Sequence, residues 1–330
     1  MATIRQRGDR WQAIIKRKGY PQQSRTFDLK KDAEKWARLE ERAMDAGAWV
    51  DHTPAKQTTL AELLERYERE VTVTKRGAAT ERYRLAMFKR SNLAGLAVGS
   101  ITGGKVAEWR DARLKGDDTH KGVSTGTALR ELATLAHVFS VAVREWGIPL
   151  PCNPVEQIRK PPPGKARDRV LTDDQRAKLL HECGRSRVTW LKPVVMFALE
   201  TGARRGEILG LKWADVDLQR ATARVDGKTG ARVIPLSPAC VAMLKGLPRS
   251  LAGLVFPIAA PGIKRSYIRA VARAGIDDWT FHDLRHDALT RLAKRGLSVL
   301  ELRAISGHTT ANMLQRYVSI DPAELARKLG

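Results

Sequence analysis

Apolar and polar residues alternate near the N-terminus, then give way to helical spacing for most of the chain. Residues 3 to 27 alternate and turn twice, through Thr3 to Arg7, a Gly8-Asp9 turn, Arg10 to Lys18, a Gly19 to Pro21 turn and Gln22 to Phe27. This pattern predicts three short strands. A helix is expected from about Lys30 to Ala46, with Ala33, Trp36, Ala37, Leu39 and Ala43 as its buried stripe. Asp51 to Gln57 contains Pro54 and little that would pack, so it reads as a linker. Thr59 and Glu62 then stand at capping-box spacing. Helices are expected near 59–72, 78–92, 103–115 and 124–146, the last with Leu129, Leu132, Leu135, Phe139, Ala142, Val143 and Trp146 along one face. His137 lies in that helix and reads as structural.

From Ile148 to Arg169 the chain carries Pro149, Pro151, Pro154 and the run Pro161-Pro162-Pro163-Gly164, which marks a stiff connector. Past it, Thr172 and Gln175 cap a helix, and Pro193 opens another that runs to Leu199 and Thr201-Gly202-Ala203-Arg204-Arg205-Gly206-Glu207. Gly202 allows a turn there, and Arg204 begins the next helix. Ala221 to Val225 and Arg232 to Pro235 predict a hairpin whose turn, Asp226 to Gly230, presents Lys228. Helices near 237–245 and 262–274 lead to a last helical region. In it Ser298 and Glu301 open a helix that Gly307 ends, and His308 and Tyr317 bracket one more short helix. The expected fold is mainly α with small β-sheets (α+β). Its expected divisions are a strand-and-helix domain at 1–50, a helical domain at 58–148, a basic Pro-rich linker at 149–169 and a mostly helical domain at 170–330.

Charge turns this outline toward a partner. The chain has 59 Lys and Arg against 36 Asp and Glu, a net +23, more than solubility needs and suited to a polyanion, with nucleic acid the leading candidate. Seven of the first 27 residues are basic and only Asp9 is acidic, so the N-terminal sheet has a basic face of a size that fits a major groove. Candidate DNA contacts are Arg5, Arg7, Arg10, Lys16, Arg17 and Lys18 on this sheet. Lys75, Arg76, Lys89 and Arg90 are candidates in the helical region, and Arg159, Lys160, Lys165 and Arg167 in the connector. A cap whose charges only keep it soluble, or a solvated helix face, would look the same. No apolar run approaches the roughly 18 to 20 residues of a membrane span, and no apolar signal-peptide core stands at the N-terminus, so a cytoplasmic protein is expected. Cys152, Cys183 and Cys240 are odd in number and widely spaced, which argues against a disulfide framework or a zinc site.

The candidate chemistry lies between Thr280 and Ser319. His282 and Arg285 are three apart in an apolar-periodic run with Leu284, Ala288 and Leu292, so on a helix they share a face and can share a ligand. Two histidines, an arginine and a tyrosine without metal-ligand cysteines suit an anion such as a phosphodiester, with the tyrosine as nucleophile. Taken singly, each has a plainer reading as a solvated polar face or a packed ring. His282 and His286 are also spaced as in zinc metalloproteases, but Asp283 stands where that motif has glutamate.

With Arg204, Lys228, His282, Arg285, His308 and Tyr317 in that order, the sequence resembles the tyrosine recombinases, the phage-integrase family. The matching motifs are Thr201 to Glu207, Gly227-Lys228-Thr229-Gly230, His282 to Arg285, Ser306-Gly307-His308 and Arg316-Tyr317, which span most of residues 170 to 320. Ala198 to Leu211, Arg144 to Pro163 and Ile305 to Tyr317 also look like the shufflon-type DNA invertases. The N-terminal part is similar to the arm-binding and core-binding domains of larger integrases. Ser306 departs from the family, which more often has an apolar residue before Gly-His. Arg205 beside Arg204 leaves two arginines to choose from, and the Thr-Gly-x-Arg pattern favours Arg204.

The resemblance implies a site-specific DNA recombinase that needs no metal or cofactor. Tyr317 would attack phosphorus and form a 3′-phosphotyrosyl bond. Arg204 and Arg285 would hold the non-bridging oxygens, Lys228 would protonate the leaving 5′ oxygen, and His282 and His308 would supply hydrogen bonds. Implied partners are double-stranded DNA at core and arm-type sites and a homotetramer that exchanges strands through a Holliday junction. An accessory DNA-bending protein is compatible with that assembly. The implied setting is the nucleoid of a prokaryote, or a phage genome. A type IB topoisomerase, or a DNA-binding regulator on a decayed recombinase fold, remains an alternative. Asp321, Pro322 and Glu324 suit the start of a further short helix with Leu325 and Leu329 on one face, expected to dock on a neighbouring protomer.

Overall fold

The structure, a computed structural model, describes residues 2–117, 121–164, 169–227, 230–249, 252–315 and 317. It is mainly helical with two small antiparallel sheets, and the chain falls into two compact units, Met1–Lys165 and Ala166–Gly330.

In the first unit, β1 (Thr3–Arg7), β2 (Arg10–Ile15) and β3 (Gln23–Phe27) form an antiparallel meander, followed by α1 (Lys30–Asp45). Strand alternation turns Ala13 and Ile15 inward against Ala33, Ala37 and Met44 of α1. The opposite face carries Arg5, paired in register with Gln12, and Arg7, paired with Arg10. Leu39, expected in the buried stripe, is 56% exposed. It lies two residues beyond Ala37, which on a helix is nearly the opposite face.

The stretch 51–57 is not simply a linker. It contains α2 (Thr53–Gln57), with Pro54 in the first turn, where its missing N–H is no loss, and with Ala55 buried. A four-helix body follows from α3 (Leu60–Glu70), α4 (Ala78–Lys89), α5 (Gly103–Lys115) and α6 (Thr125–Arg144). Leu64, Tyr67, Phe88, Leu135 and Phe139 fill its core, and Thr59 and Glu62 form the expected capping box. Val143 is exposed, because the apolar face of α6 runs through Val138, Phe139 and Ala142 instead. Buried Glu131 on α6 takes two hydrogen bonds from Arg113 on α5. His137 is hydrogen-bonded to the Tyr67 hydroxyl at 2.5 Å. The proline-rich stretch is packed for part of its length: Val155 is buried in this core, and Asn153 Nδ2 donates to the Ala136 carbonyl at 2.8 Å.

The second unit begins with α7 (Asp173–Gly184), α8 (Leu191–Thr201) and α9 (Arg205–Leu209). The sheet β4 (Val216–Asp217), β5 (Thr222–Gly227) and β6 (Gly230–Pro235) follows, then α10 (Pro238–Lys245), α11 (Ala260–Arg273), α12 (Asp283–Lys294), α13 (Val299–Ser306) and α14 (Asn312–Gln315). Apolar α8 sits at the centre of the core with Val194, Phe197 and Ala198 fully buried or nearly so. Two features depart from the expected hairpin. The two-residue β4 adds a third strand, and β5 and β6 run on to Gly227 and Gly230, so Asp226 is in the ladder rather than the turn. Cys183 and Cys240 are buried, which pushes both thiols up to about 12 and keeps them protonated. A second apolar cluster, Leu289, Leu302, Leu314 and Tyr317, joins α12, α13 and α14. The helix expected around Asp321 to Leu329 lies outside the described residues, as does Lys228.

Candidate active site

The site grows from the two ends of short elements. α8 stops at Gly202 in the left-handed conformation, and the chain turns so that Arg204 becomes the residue just before α9 rather than its first helical residue. Arg204 points inward, donating its backbone N–H and Nη1 to Glu207 at 2.8 Å each, while Arg205 is exposed. Of the two arginines, Arg204 is the one held against the buried carboxylate of Glu207.

Glu207 is buried on α9 and also receives both terminal nitrogens of Arg232 from β6, each at 2.8 Å. Burial alone would raise this carboxyl, but the hydrogen bonds from Arg232 and from Arg204 overrule it and hold it at about 2. It is an anion at any working pH. Gly227 on β5 is required here, since a Cβ at that position would stand 2.6 Å from a Glu207 oxygen. Arg232 continues to α13, donating Nε to the Ile305 carbonyl at 2.7 Å. Gly307 ends α13 with φ 64°, and a side chain there would meet Arg232 at 3.0 Å.

Arg285 lies on the first turn of α12, 3% exposed, with Nη1 on the Gly202 carbonyl and Nη2 on the Ser306 carbonyl, both at 2.7 Å. A guanidinium has more N–H groups than these carbonyls take, so it can still donate to an anion. Burial, then the neighbouring Arg204 charge, lowers it to about 10, which leaves it protonated at neutral pH. His282 occupies the position before α12 and lines, with Arg204, Arg285 and Lys264, a cavity of about 350 Å³. Burial and Arg285 push His282 below its ordinary value.

His308 follows Gly307. Its Nδ1 is hydrogen-bonded to the Ser306 hydroxyl at 2.7 Å, and Arg285 Nη2 approaches the ring at 3.4 Å. Burial, then Arg285, Arg204, His286 and Arg232, depress it to about 4, so at neutral pH it is a neutral ring with one N–H to give. Tyr317 is 6% exposed, its ring centroid 6.5 Å from that of His308, and its hydroxyl is hydrogen-bonded to Nδ1 of His286. Arg204, His282, Arg285, His308 and Tyr317 are thus gathered in one place.

Sequence reasoning passed over four side chains here. Arg232 had a signal, since strand alternation sets it on the same face as buried Ile234, and a core-facing arginine needs an acid. Ser306 stood out only as a departure from the family, yet its hydroxyl is hydrogen-bonded to His308. Glu207 stood in the motif without a role. His286 was weighed only as a metal ligand.

Among the candidate DNA contacts, Lys75 is held by Tyr67 and Glu81 at 2.6 and 3.0 Å, and Lys89 by Glu68 at 2.9 Å. Their charge is largely answered within the helical body. Arg10 pairs with Asp28 at 3.2 Å, and Arg17 with Asp45, both at the surface. Arg7, Lys16, Lys18, Arg76, Arg90, Arg159 and Lys160 are exposed, and Lys165 and Arg167 lie outside the described residues. Among the described residues no helix is long and apolar enough to cross a membrane.

The phage integrase family profile matches residues 169–324. The chain is 38% identical over 279 residues to a shufflon-specific DNA recombinase of Escherichia coli, covering 83% of this chain and 72% of that protein. This chain belongs to the phage integrase family. It is a tyrosine site-specific recombinase, an enzyme that breaks and rejoins DNA. This integrase is also 31% identical over 347 residues to a putative integrase/recombinase of Haemophilus influenzae, covering 98% of this chain and 89% of that one. Its fold is shared with a lambda integrase tetramer bound to a Holliday junction, at TM-score 0.67 and 21% identity over 89% of each chain. A Tn1549 transposon integrase in complex with transposon right end DNA superposes at TM-score 0.70 with 19% identity, covering 83% of this chain and 100% of that one.

Proposed function

We propose that Tyr317 of this recombinase cleaves one DNA strand at a time, joining its phenol oxygen to phosphorus as a 3′-phosphotyrosyl ester and releasing a 5′ hydroxyl. The observation that carries this reading is that Tyr317 lies with its ring centroid 6.5 Å from that of His308 and within electrostatic reach of Arg285, which in turn neighbours Arg204. A phosphodiester under attack gains charge on its non-bridging oxygens, and Arg204 and Arg285 supply fixed positive charge and N–H donors to meet it. The neutral His308 donates a further hydrogen bond. Lys228 protonates the leaving 5′ oxygen. The bond energy is kept in the ester, so a 5′ hydroxyl from another strand can reverse the step without ATP.

In this reading four protomers act on two core sites and exchange strands through a Holliday junction, to integrate, excise or invert a segment. Residues 1–50 form an arm-type DNA-binding domain, 58–148 a core-binding domain and 170–330 the catalytic domain, with the basic connector lying on the phosphate backbone. Arg7 and Arg10 are cross-strand neighbours in the first sheet, and Asp28 answers only Arg10, which keeps Arg7 as exposed positive charge for a polyanion.

The test is Tyr317→Phe on a nicked substrate that traps the covalent complex. Removal of the nucleophilic oxygen should leave binding to the core site intact and abolish the trapped species. Trapping at the normal rate in that variant overturns the assignment.

A further inference from the structure

The proton of the Tyr317 hydroxyl must go somewhere when the oxygen attacks. A phenol titrates near pH ~10, so an attacking tyrosine at neutral pH needs a base in contact with it. Glu207 cannot serve, because its oxygens are taken by Arg204 and Arg232. His308 turns its Nδ1 to Ser306, and its ring centroid is 6.5 Å from the phenol ring. His282 stands before the first turn of α12, on the cavity wall.

His286 is placed differently. It lies one residue beyond Arg285 on α12, and its Nδ1 shares a hydrogen bond with the Tyr317 hydroxyl. The rings are 5.7 Å apart between centroids and inclined by 32°. The backbone behind each ring is held. Thr290 Oγ1 donates to the His286 carbonyl at 2.9 Å, and Tyr317 is packed among Leu289, Leu302 and Leu314, with its N–H on the Leu314 carbonyl at 2.9 Å. The His282 ring meets His286 edge to face at 5.1 Å. Among the described residues, the titratable and charged groups around His286 include His282 just before its helix, Arg285 on it, His308 after α13 and Tyr317 after α14.

We propose that His286 is the general base of the cleavage step, a catalytic residue outside the Arg204, Lys228, His282, Arg285, His308 and Tyr317 set. The proposal rests on Tyr317 being the nucleophile. The neutral imidazole carries its proton on Nε2 and accepts the phenol proton at Nδ1 as the phenol oxygen bonds to phosphorus. The bond from phosphorus to the 5′ oxygen breaks with its electron pair, and that oxygen takes a proton from Lys228. In rejoining, the 5′ hydroxyl gives its proton back to the neutral Lys228 amine as it bonds to phosphorus, the bond from phosphorus to the phenol oxygen breaks, and His286 returns its proton to that oxygen.

The test is single-turnover cleavage by the full chain between about pH 5.5 and about pH 9. The unaltered enzyme should speed up with pH and level off once His286 is neutral. His286→Ala should lose roughly 10²- to 10³-fold near neutral pH, keep rising past that plateau, and regain rate with added imidazole. His286→Gln can still hydrogen-bond the phenol but cannot take its proton, so it should be as slow as the alanine variant and carries the test if that variant fails to fold. Cleavage by His286→Gln within about threefold of the unaltered enzyme with the same plateau overturns the base and leaves positioning by a hydrogen bond. Tyr317→Phe separates the two readings. If it is inactive while the His286 variants cleave normally, only the base assignment falls, and if it still forms covalent complexes the nucleophile assignment falls first.

Discussion

The two three-stranded sheets of this recombinase share a topology and differ in what they do with arginine. Both are antiparallel meanders in sequence order. In the first, Arg5, Arg7 and Arg10 stand on the face away from α1, where Arg5 donates to Gln12 at 3.0 Å and Gln12 donates on to Ser24 at 2.9 Å. In the second, Arg232 turns inward with an 11% exposed side chain and clasps the carboxylate of Glu207, which is 1% exposed. An exposed arginine keeps its charge available to a ligand at little cost to the fold. A buried one must have its partner built in, and removal of that partner leaves a charge without solvent or counterion. One sheet offers charge; the other consumes it to hold α9, β6 and α13 together around Arg204.

The largest expected effect follows from breaking the inner arrangement. Glu207→Ala leaves Arg204 and Arg232 without their carboxylate and should destabilise the second unit by about 3 to 5 kcal/mol, with cleavage abolished. Urea unfolding read by amide exchange in β5 and β6 measures it, and replacing Arg232 by methionine in the same chain should recover part of the loss. Equal stability of Glu207→Ala and the parent chain would mean that the inner pair does not hold the site.

Acid should separate the two sheets. His308, at about 4 when folded against an ordinary 6.5, and Glu207, at about 2 against 4.5, both bind protons more readily when unfolded. Their contribution is therefore present above pH 6.5, declines first through the His308 window and then through the Glu207 window, and is gone below about 2. Beside the first sheet, Asp45 at the end of α1 is lowered from 3.8 by its hydrogen bond with Arg17, so its contribution declines only below 3.8. Amide protection factors should weaken in β5 and β6 at a higher pH than in β1 and β2. The reverse order would break the comparison.

The smallest effect on stability belongs to the outward face. Arg5→Ala should change unfolding free energy by no more than about 0.5 kcal/mol. If the face meets DNA, the same change should weaken binding to a full-length site and reduce the salt slope by about 0.9 for each phosphate that is no longer neutralised. Filter binding across a salt series decides it, and an unchanged slope would leave the arginines as solubilising charge.

Local rules were readable where the partners are neighbours in sequence. The capping boxes at Thr59, Thr172 and Ser298 form with Glu62, Gln175 and Glu301, each three residues on. The order of Arg204, His282, Arg285, His308 and Tyr317 was enough to expect a shared site. What sequence does not carry is the pairing of distant side chains. Arg232 meets Glu207 across 25 residues, through the packing of α9 on β5 and the register of β5 with β6. His286 and Tyr317 are 31 apart and meet through the packing of α12 on α13 and α14. Ser306 is two residues from His308, yet their hydrogen bond depends on the left-handed Gly307 between them, so a departure from the family pattern meets a ring nitrogen of the histidine.

One carboxylate on α12 faces the other way. Asp287, fully buried, accepts the Leu171 backbone N–H at 2.8 Å, and Arg291 closes the loop by reaching both Asp287 and the Leu171 carbonyl. The segment that leads into the second unit is thereby anchored to the helix turn that carries Arg285 and His286. Tension applied to the chain at Leu171 would reach Asp287, one residue from His286, which is hydrogen-bonded to Tyr317. That helix is thus also a mechanical anchor for the chain that enters the unit.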